Sequence, residues 1–472
     1  MKNKTFISTL TPLIAALLLA GCASTANFTP TAAPSAPTAF KEADGRWTSA
    51  PPAEAQARGR WWAVFADPVL DGLVERADVN NTSIQVAVAR LAQARALLRS
   101  ADADRLPQLG LGGGAQRGNN LISGSNTPIT VLSAGASASW EPDLFGRLAK
   151  ASNAANLDAQ SREALLQSTR LLVQSDVARA YFVLRALDAE RALVRETVAA
   201  YGDTLRLTER RYAAGDVAEL DLARVQTEVA ATQSQALALD RQRAQLEHAL
   251  AVLLGELPSS FTLAEAEWRG ALPNVPAGIP STVLTRRPDV SAAQSAMLAA
   301  QARVGVAQSA WFPDVALTAN GGFASTDLGD LFKWSARSWG VGALLSLPLF
   351  DGGRREAGVQ NANAAWDAAA AGYREQVLVA FQDVEDQLAA LRLLSDQAGA
   401  QTQAVDAAAR ATVLSNSRYR NGLVSQLEFL DARRSELTNR RQAVQVRAAQ
   451  YQATVGLIRA LGGGWGASPP PA

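Results

Sequence analysis

Reactive side chains are scarce in this chain: its 472 residues include one cysteine, Cys22, one histidine, His248, and two methionines. A solitary cysteine makes no intramolecular disulfide, and one histidine leaves no zinc cluster, Cys-His pair or Ser-His-Asp triad to assemble. Neither G-x-x-x-x-G-K-[ST] nor G-x-S-x-G occurs, and "GLGGGAQRG" lacks the lysine of a phosphate loop and sits in extended sequence. This inventory argues against an enzyme. Charge of one sign is missing too: 45 basic side chains balance 44 acidic ones, so nucleic acid is not an expected partner. No apolar run after the first two dozen residues reaches the ~18 of a membrane-spanning helix. If the chain crosses a bilayer, strands must do it.

What is present starts at the N-terminus. "MKNKTFISTLTPLIAALLLAGC" joins two lysines, an apolar run from Leu13 to Ala20 and a small-residue exit, the layout of a secretion signal over residues 1–21. The exit Leu19-Ala20-Gly21-Cys22 resembles the lipobox of bacterial lipoproteins, which implies cleavage before Cys22 and acylation of that residue. Ala23, in place of aspartate, favours the outer membrane on the same resemblance. Residues 22–60, rich in proline and alanine and without periodicity, read as an extended tether.

Proline is absent from Asp143 to Leu257 and from Leu349 to Ser468, and only there can long helices run. Stepping alternately by four and three from Leu166 to Tyr212 meets eleven apolar residues in fourteen positions; the same walk from Tyr373 to Tyr419 meets ten. Each is a coiled-coil seam of six heptads. The two walks lie 207 residues apart, and the match continues through Asp176/Asp383, Gly215/Gly422, Val217/Val424 and Gly255/Gly462. The chain therefore carries an internal two-fold repeat. A helix from about Leu148 to Tyr212 would be roughly 100 Å long, beyond any compact domain of this size. "RYAAG" and "RYRNG" then reverse each long helix, so that hairpins span 148–254 and 354–461.

Between the helices lie paired extended segments, 106–146 and 312–353, each reading as two strands of about ten residues around a polar loop. Trp140, Trp311, Trp334 and Trp339 sit at or near strand ends, where a bilayer interface would hold them; aromatic packing at a helix–strand junction is the other reading. Four strands cannot close a barrel, and open edges would leave unpaired backbone groups in hydrocarbon. Several chains must share one barrel, of eight strands in a dimer, twelve in a trimer or sixteen in a tetramer.

In order, the lipobox, "WWAVFADPVLDGLVERADVNN", the first strand pair, "RYAAGDVAELDLARVQTEVA", "LTRRPDV", the second strand pair, "LPLFDGGRR" and "RYRNGLVSQLEFLDARRSEL" resemble the TolC-class outer-membrane efflux proteins, specifically their NodT-type lipoprotein branch. The resemblance implies an α+β membrane protein: a long α-helical barrel continuous with an outer-membrane β-barrel, four strands per protomer, closed as a homotrimer. The expected organisation is residues 61–258 as first repeat, 259–288 as linker, 289–465 as second repeat and 466–472 as tail. It implies a passive conduit for small molecules in a tripartite system with a periplasmic adaptor and an inner-membrane RND-type pump, which supplies the energy. No cofactor is implied beyond lipid on Cys22.

The resemblance also gives the hairpin tips a task. Tyr212, Gly215, Val217, Gly422, Leu423 and Val424 would meet the adaptor, although the family's leading valine is absent from both tips. Glu428 and Asp431 match acidic gate positions, and their spacing puts both on one helix face, so three copies would bring six carboxylates to one axis. Asp221 and Tyr419 would form a latch between neighbouring tips. The competing reading is a lipid-anchored periplasmic coiled-coil protein without a pore, which leaves the two strand pairs unexplained.

Overall fold

The structure is a computed structural model and describes residues 40–42, 59–119, 128–268, 270–273, 275 and 286–463. The signal, Cys22, most of the tether and the tail at 466–472 lie outside the described residues. The elements run α1 (Pro68–Asn80), α2 (Thr82–Ala103), β1 (Gln108–Asn119), β2 (Pro128–Trp140), α3 (Arg147–Ala213), α4 (Glu219–Leu253), α5 (Pro288–Ser309), β3 (Asp314–Ser325), β4 (Arg337–Ser346), α6 (Arg354–Arg420) and α7 (Gln426–Ala460). Corresponding helices have equal lengths: 67 residues in α3 and α6, 35 in α4 and α7, 22 in α2 and α5. Left-handed glycines fall in matching pairs at Gly146/Gly353, Gly215/Gly422 and Gly255/Gly462.

Contacts divide the described chain into two compact units. One contains Leu91–Arg162 and Ala293–Arg374 and holds the sheet, in the order β1-β2-β3-β4, every neighbouring pair antiparallel. The outer edges of β1 and β4 have no partner strand among the described residues. Gly135 faces Gly322 across β2 and β3, and the backbones approach so closely that a Cβ on Gly135 would stand 2.7 Å from the Gly321 carbonyl oxygen. Both strand pairs form where expected, with shifted ends. β2 begins at Pro128, inside the segment expected as loop, because proline is tolerated at the first position of a strand. It stops at Trp140, and β4 at Ser346, shortly before Pro142 and Pro348, which have no N–H for a ladder. The residues beyond them cap the long helices: the Asp143 carboxylate accepts from the Leu148 and Ala149 amides at 3.1 and 2.7 Å, and Asp351 accepts from the Gly353 and Arg355 amides.

The second unit contains Pro34–Arg90, Glu163–Ala292 and Glu375–Ala472. Here the 3.5-residue seam is the core. Every seam position of the second copy is buried or half-buried, and in the first copy only Tyr212 is exposed. Val177, Leu184 and Val194 on α3, Val384 and Leu388 on α6, Leu250 on α4 and Leu457 on α7 are fully enclosed. Phe65, from the 3-10 turn Trp61–Phe65, packs on Phe182 with ring centroids 4.8 Å apart, and Phe182 on Tyr451 at 4.6 Å. Each return helix ends against the start of its own copy. Asn81 Nδ2 donates to the Leu253 carbonyl at 2.7 Å, and Arg287 Nη1 donates to the Ala460 carbonyl at 3.4 Å.

One group of polar residues in this core is a charged cluster around Asp188. Asp188, 4% exposed, takes ionic contacts from Arg185 at 3.3 Å, Arg191 at 3.5 Å and Arg243 at 2.8 Å. Arg185 also donates to the Ala264 carbonyl at 2.8 Å, and Glu247 accepts the Leu263 amide at 2.6 Å, so the cluster pins the extended segment after α4. Buried charges survive only when paired and hydrogen-bonded in this way.

Candidate functional site

Both hairpin tips close by the same backbone device. After α3 the Asp216 amide reaches back to the Arg211 carbonyl at 2.8 Å and the Gly215 amide to Tyr212 at 2.9 Å; after α6, Leu423 reaches Arg418 at 2.9 Å and Gly422 reaches Tyr419 at 3.0 Å. These are Schellman turns, which require the left-handed φ of 78° at Gly215 and 72° at Gly422. Arginines in the last turn, Arg210 and Arg211 in α3 and Arg418 and Arg420 in α6, suit the negative ends of the helices. Around the glycines the tips are open and mixed in polarity: Leu423 is 68% exposed, and Tyr212, Asp216 and Asn421 are also exposed, whereas Val217 and Val424 are half-buried at equivalent places.

Of the acidic residues, Glu428 and Asp431 share an exposed face of α7, as their spacing requires. Asp431 lies 3.3 Å from Arg434, which also pairs with Glu228 on α4. The hydrogen bond to Glu228 raises the Arg434 pKa, although burial works against it. Within one chain Asp221 and Tyr419 are not brought together: Asp221 contacts Arg224 at 3.6 Å, while the Tyr419 hydroxyl accepts from Arg211 Nη1 at 3.4 Å and its ring stacks on Phe429. The two hairpins are joined instead by a buried bond that sequence reasoning missed, Gln426 Nε2 to Thr208 Oγ1 at 2.9 Å, beside a small core of Tyr201, Val225 and Leu430. Burial, reinforced by Glu228, raises the Tyr201 pKa, and its hydroxyl has no hydrogen-bond partner among the described residues. One signal did point here. Thr208 is one of the three polar residues in the first seam, as is Arg191 of the ionic cluster.

The sheet is the other candidate region. Its side chains are open, with Leu111 90% exposed and Val341 78%. Trp140 closes β2 and donates its indole N–H to the Arg105 carbonyl at 3.1 Å; Trp311 precedes β3 and lies under the Arg355 guanidinium at 4.6 Å. Trp140 pairs in register with Leu317 of β3, so both indoles belong to one end of the sheet. Trp334, 75% exposed beneath Arg337, and Trp339, 76% exposed, belong to the other. Twelve-residue strands rise about 40 Å, and a tilt of about 40° reduces that to roughly 30 Å, the depth of a hydrocarbon core. Among the described residues no helix is long and apolar enough to cross a membrane, and no group of acidic, histidine or cysteine side chains could hold a metal.

An open-edged sheet of membrane height, bordered by aromatic residues and continued by 67-residue helices, is the anatomy of a bacterial outer-membrane channel subunit. The outer membrane efflux protein model matches this chain over residues 73–256 and again over 279–463. The cation efflux system protein CusC of Escherichia coli strain K12 is 31% identical, over 96% of this chain and 99% of that protein. The solvent efflux pump outer membrane protein SrpC of Pseudomonas putida is 32% identical, over 97% and 98%. Among solved structures, the outer-membrane channel OprN superposes with a TM-score of 0.85 at 29% identity, covering 93% of this chain and 98% of that one. The open state of the Neisseria gonorrhoeae MtrE channel superposes at 0.79 with 28% identity, covering 92% and 98%. The chain belongs to the outer membrane efflux protein family, and it is an efflux channel component of the outer membrane.

Proposed function

We propose that three copies of this chain close into one passive tube. The observation that supports this most strongly is the sheet itself: among the described residues β1 and β4 have outer edges with no partner strand, which hydrocarbon does not tolerate. Pairing β4 of one protomer with β1 of the next removes every edge, and the TolC-class resemblance selects twelve strands in a trimer over eight or sixteen. The seam-packed hairpins of three protomers would complete an α-helical barrel in the periplasm. Cys22, acylated after loss of residues 1–21, would add a lipid anchor. Residues 61–258 and 289–465 act as the two repeats, joined by 259–288.

The tips form the periplasmic mouth in this reading. Tyr212, Gly215, Val217, Gly422, Leu423 and Val424 dock on a periplasmic adaptor, and an RND-type inner-membrane pump drives transport. Six carboxylates from Glu428 and Asp431 favour cations at the constriction, moderated by Arg434 beside each Asp431. Asp221 and Tyr419 of neighbouring protomers latch the mouth. The tryptophans at both ends of the sheet sit at the two bilayer interfaces. Relatives of nearly equal identity are named for cations and for solvents, which suits a conduit whose cargo is chosen by the pump.

Purified protein in mild detergent should have the mass of three chains and conduct ions in planar bilayers. A monomer with no conductance would leave the coiled-coil rod as the reading. Glu428→Gln with Asp431→Asn should reduce cation preference without changing the oligomer.

A further inference from the structure

Lys41 and Glu42 make two different polar contacts with one face of α6. Phe40 is 5% exposed. The Lys41 amide donates to Glu385 Oε1 at 2.8 Å, and the next amide, of Glu42, donates to Oε2 of the same carboxylate at 3.0 Å. The Glu42 carboxylate in turn accepts from Arg392 Nη2 at 2.8 Å. Glu385 and Arg392 are seven residues apart, two helical turns, and so lie on the same face. Two consecutive amides of the turn at Lys41–Glu42 on one carboxylate hold the main chain itself, whereas the ion pair adds a side-chain anchor on the same helix face. Among the described residues the first copy has no such device. Ala178 stands where Glu385 would be, and the turn Trp61–Phe65 packs on α3 instead through Phe65 and Phe182.

We propose that Glu385 and Arg392 form a receptor for the chain's own N-terminal tail, and that this clasp passes the pull of the membrane anchor to α6. The proposal rests on the reading of Cys22 as acylated. The clasp divides the tail in two: 17 residues, 23–39, lie between Cys22 and Phe40, and 16 residues, 43–58, between Glu42 and Gly59. A fully extended chain spans at most about 3.5 Å per residue, so the acylated cysteine stands no farther than about 60 Å from Glu385. Without the clasp, the nearest attachment among the described residues would be at Gly59, and the reach of the anchor to it would be roughly double. The clasp thus takes up slack, holding the second hairpin at a limited distance from the leaflet.

Hydrogen exchange on the full-length, membrane-extracted protein tests this directly, with the intact mass of the N-terminal fragment reporting acylation. Peptides covering residues 38–45 should exchange at least about tenfold faster in Glu385→Ala, and also in Phe40→Ser and Glu42→Ala, which alter only the tail and cannot unfold the helices. Glu385→Gln, which still accepts hydrogen bonds, should keep part of the protection. Exchange in the unaltered protein as fast as in a free peptide, or unchanged by all three disruptive variants, would overturn the clasp. A protected tail on an unmodified Cys22 would instead overturn the transmitted pull and the lipid-anchor reading, leaving the peptide contact as a structural strap alone.

Discussion

The two copies share a backbone and differ in charge. Both run a 22-residue helix, two strands, a 67-residue helix, a glycine turn and a 35-residue helix. Yet the first copy buries Asp188 among Arg185, Arg191 and Arg243, whereas the matching positions of the second are Ser395, Arg392, Ala398 and Gln450. The second copy places its buried cation elsewhere: Arg287, 8% exposed in its side chain, joins Asp289 at 2.6 Å and Asp383 at 2.9 Å where the first copy uses the neutral Asn81. Backbone geometry here depends on helix length, seam period and a few left-handed glycines. How each copy satisfies its buried polar groups is a separate choice, made once per copy.

Substitutions at matched positions break the comparison. The largest effect is expected at Asp188: removing it leaves three clustered arginines without their shared carboxylate, so Asp188→Ala should cost about 3–5 kcal/mol. Ser395→Ala, its exposed counterpart, should change stability by less than about 0.5 kcal/mol. Unfolding of the solubilised protein compares the two. Asp383→Asn removes a charged partner of Arg287 and should cost about 1.5–3 kcal/mol.

Its counterpart Asp176 should respond with the opposite sign. Burial raises the Asp176 pKa above its ordinary value, against the pull of Arg179 and Arg459. Between the ordinary and the raised value the folded protein holds a proton that the unfolded chain has lost, so this residue's contribution to stability falls as pH rises through that window. Asp176→Asn should flatten that slope in a pH series of unfolding curves and leave the protein slightly more stable at neutral pH than its parent.

The tips offer a finer test. The Ser425 hydroxyl accepts the Glu428 amide at 3.3 Å and caps α7, while Ala218 at the start of α4 offers no side-chain cap. Ser425→Ala should weaken the first turn of α7 by about 1 kcal/mol, and Ala218→Ser should strengthen α4 by up to a similar amount. Hydrogen exchange localised to each tip would measure both. Equal exchange at the two parent tips would contradict the asymmetry.

Periodicity exposed the long helices to within a residue at each end, because proline gaps, seam and terminal glycine all agree. The strands were harder to bound. Glycine and alanine blur their alternation, and the start of β2 at Pro128 is set by pairing with Asn119, a partner on another strand. At the tips, a single helix face is readable from spacing, which placed Glu428 and Asp431 together. Contacts between helices are not: Thr208 meets Gln426 across 218 residues, and Arg191 reaches Asp240 and Glu265. Their mark in the sequence is a polar residue standing at a seam position, as Thr208 and Arg191 do. The docking of residues 40–42 carries no periodic signal, since it uses main-chain amides that every residue except proline has.

The equality of α3 and α6 puts the two turns of the chain under a common rule of phase. One residue inserted into either helix alone would advance its tip by about 1.5 Å and swing it through about 100°. The pair would then present mismatched faces to whatever docks there. Lengthening such a subunit therefore calls for matched insertions in both halves, in steps of about seven residues, the interval after which the apolar stripe returns to the same side.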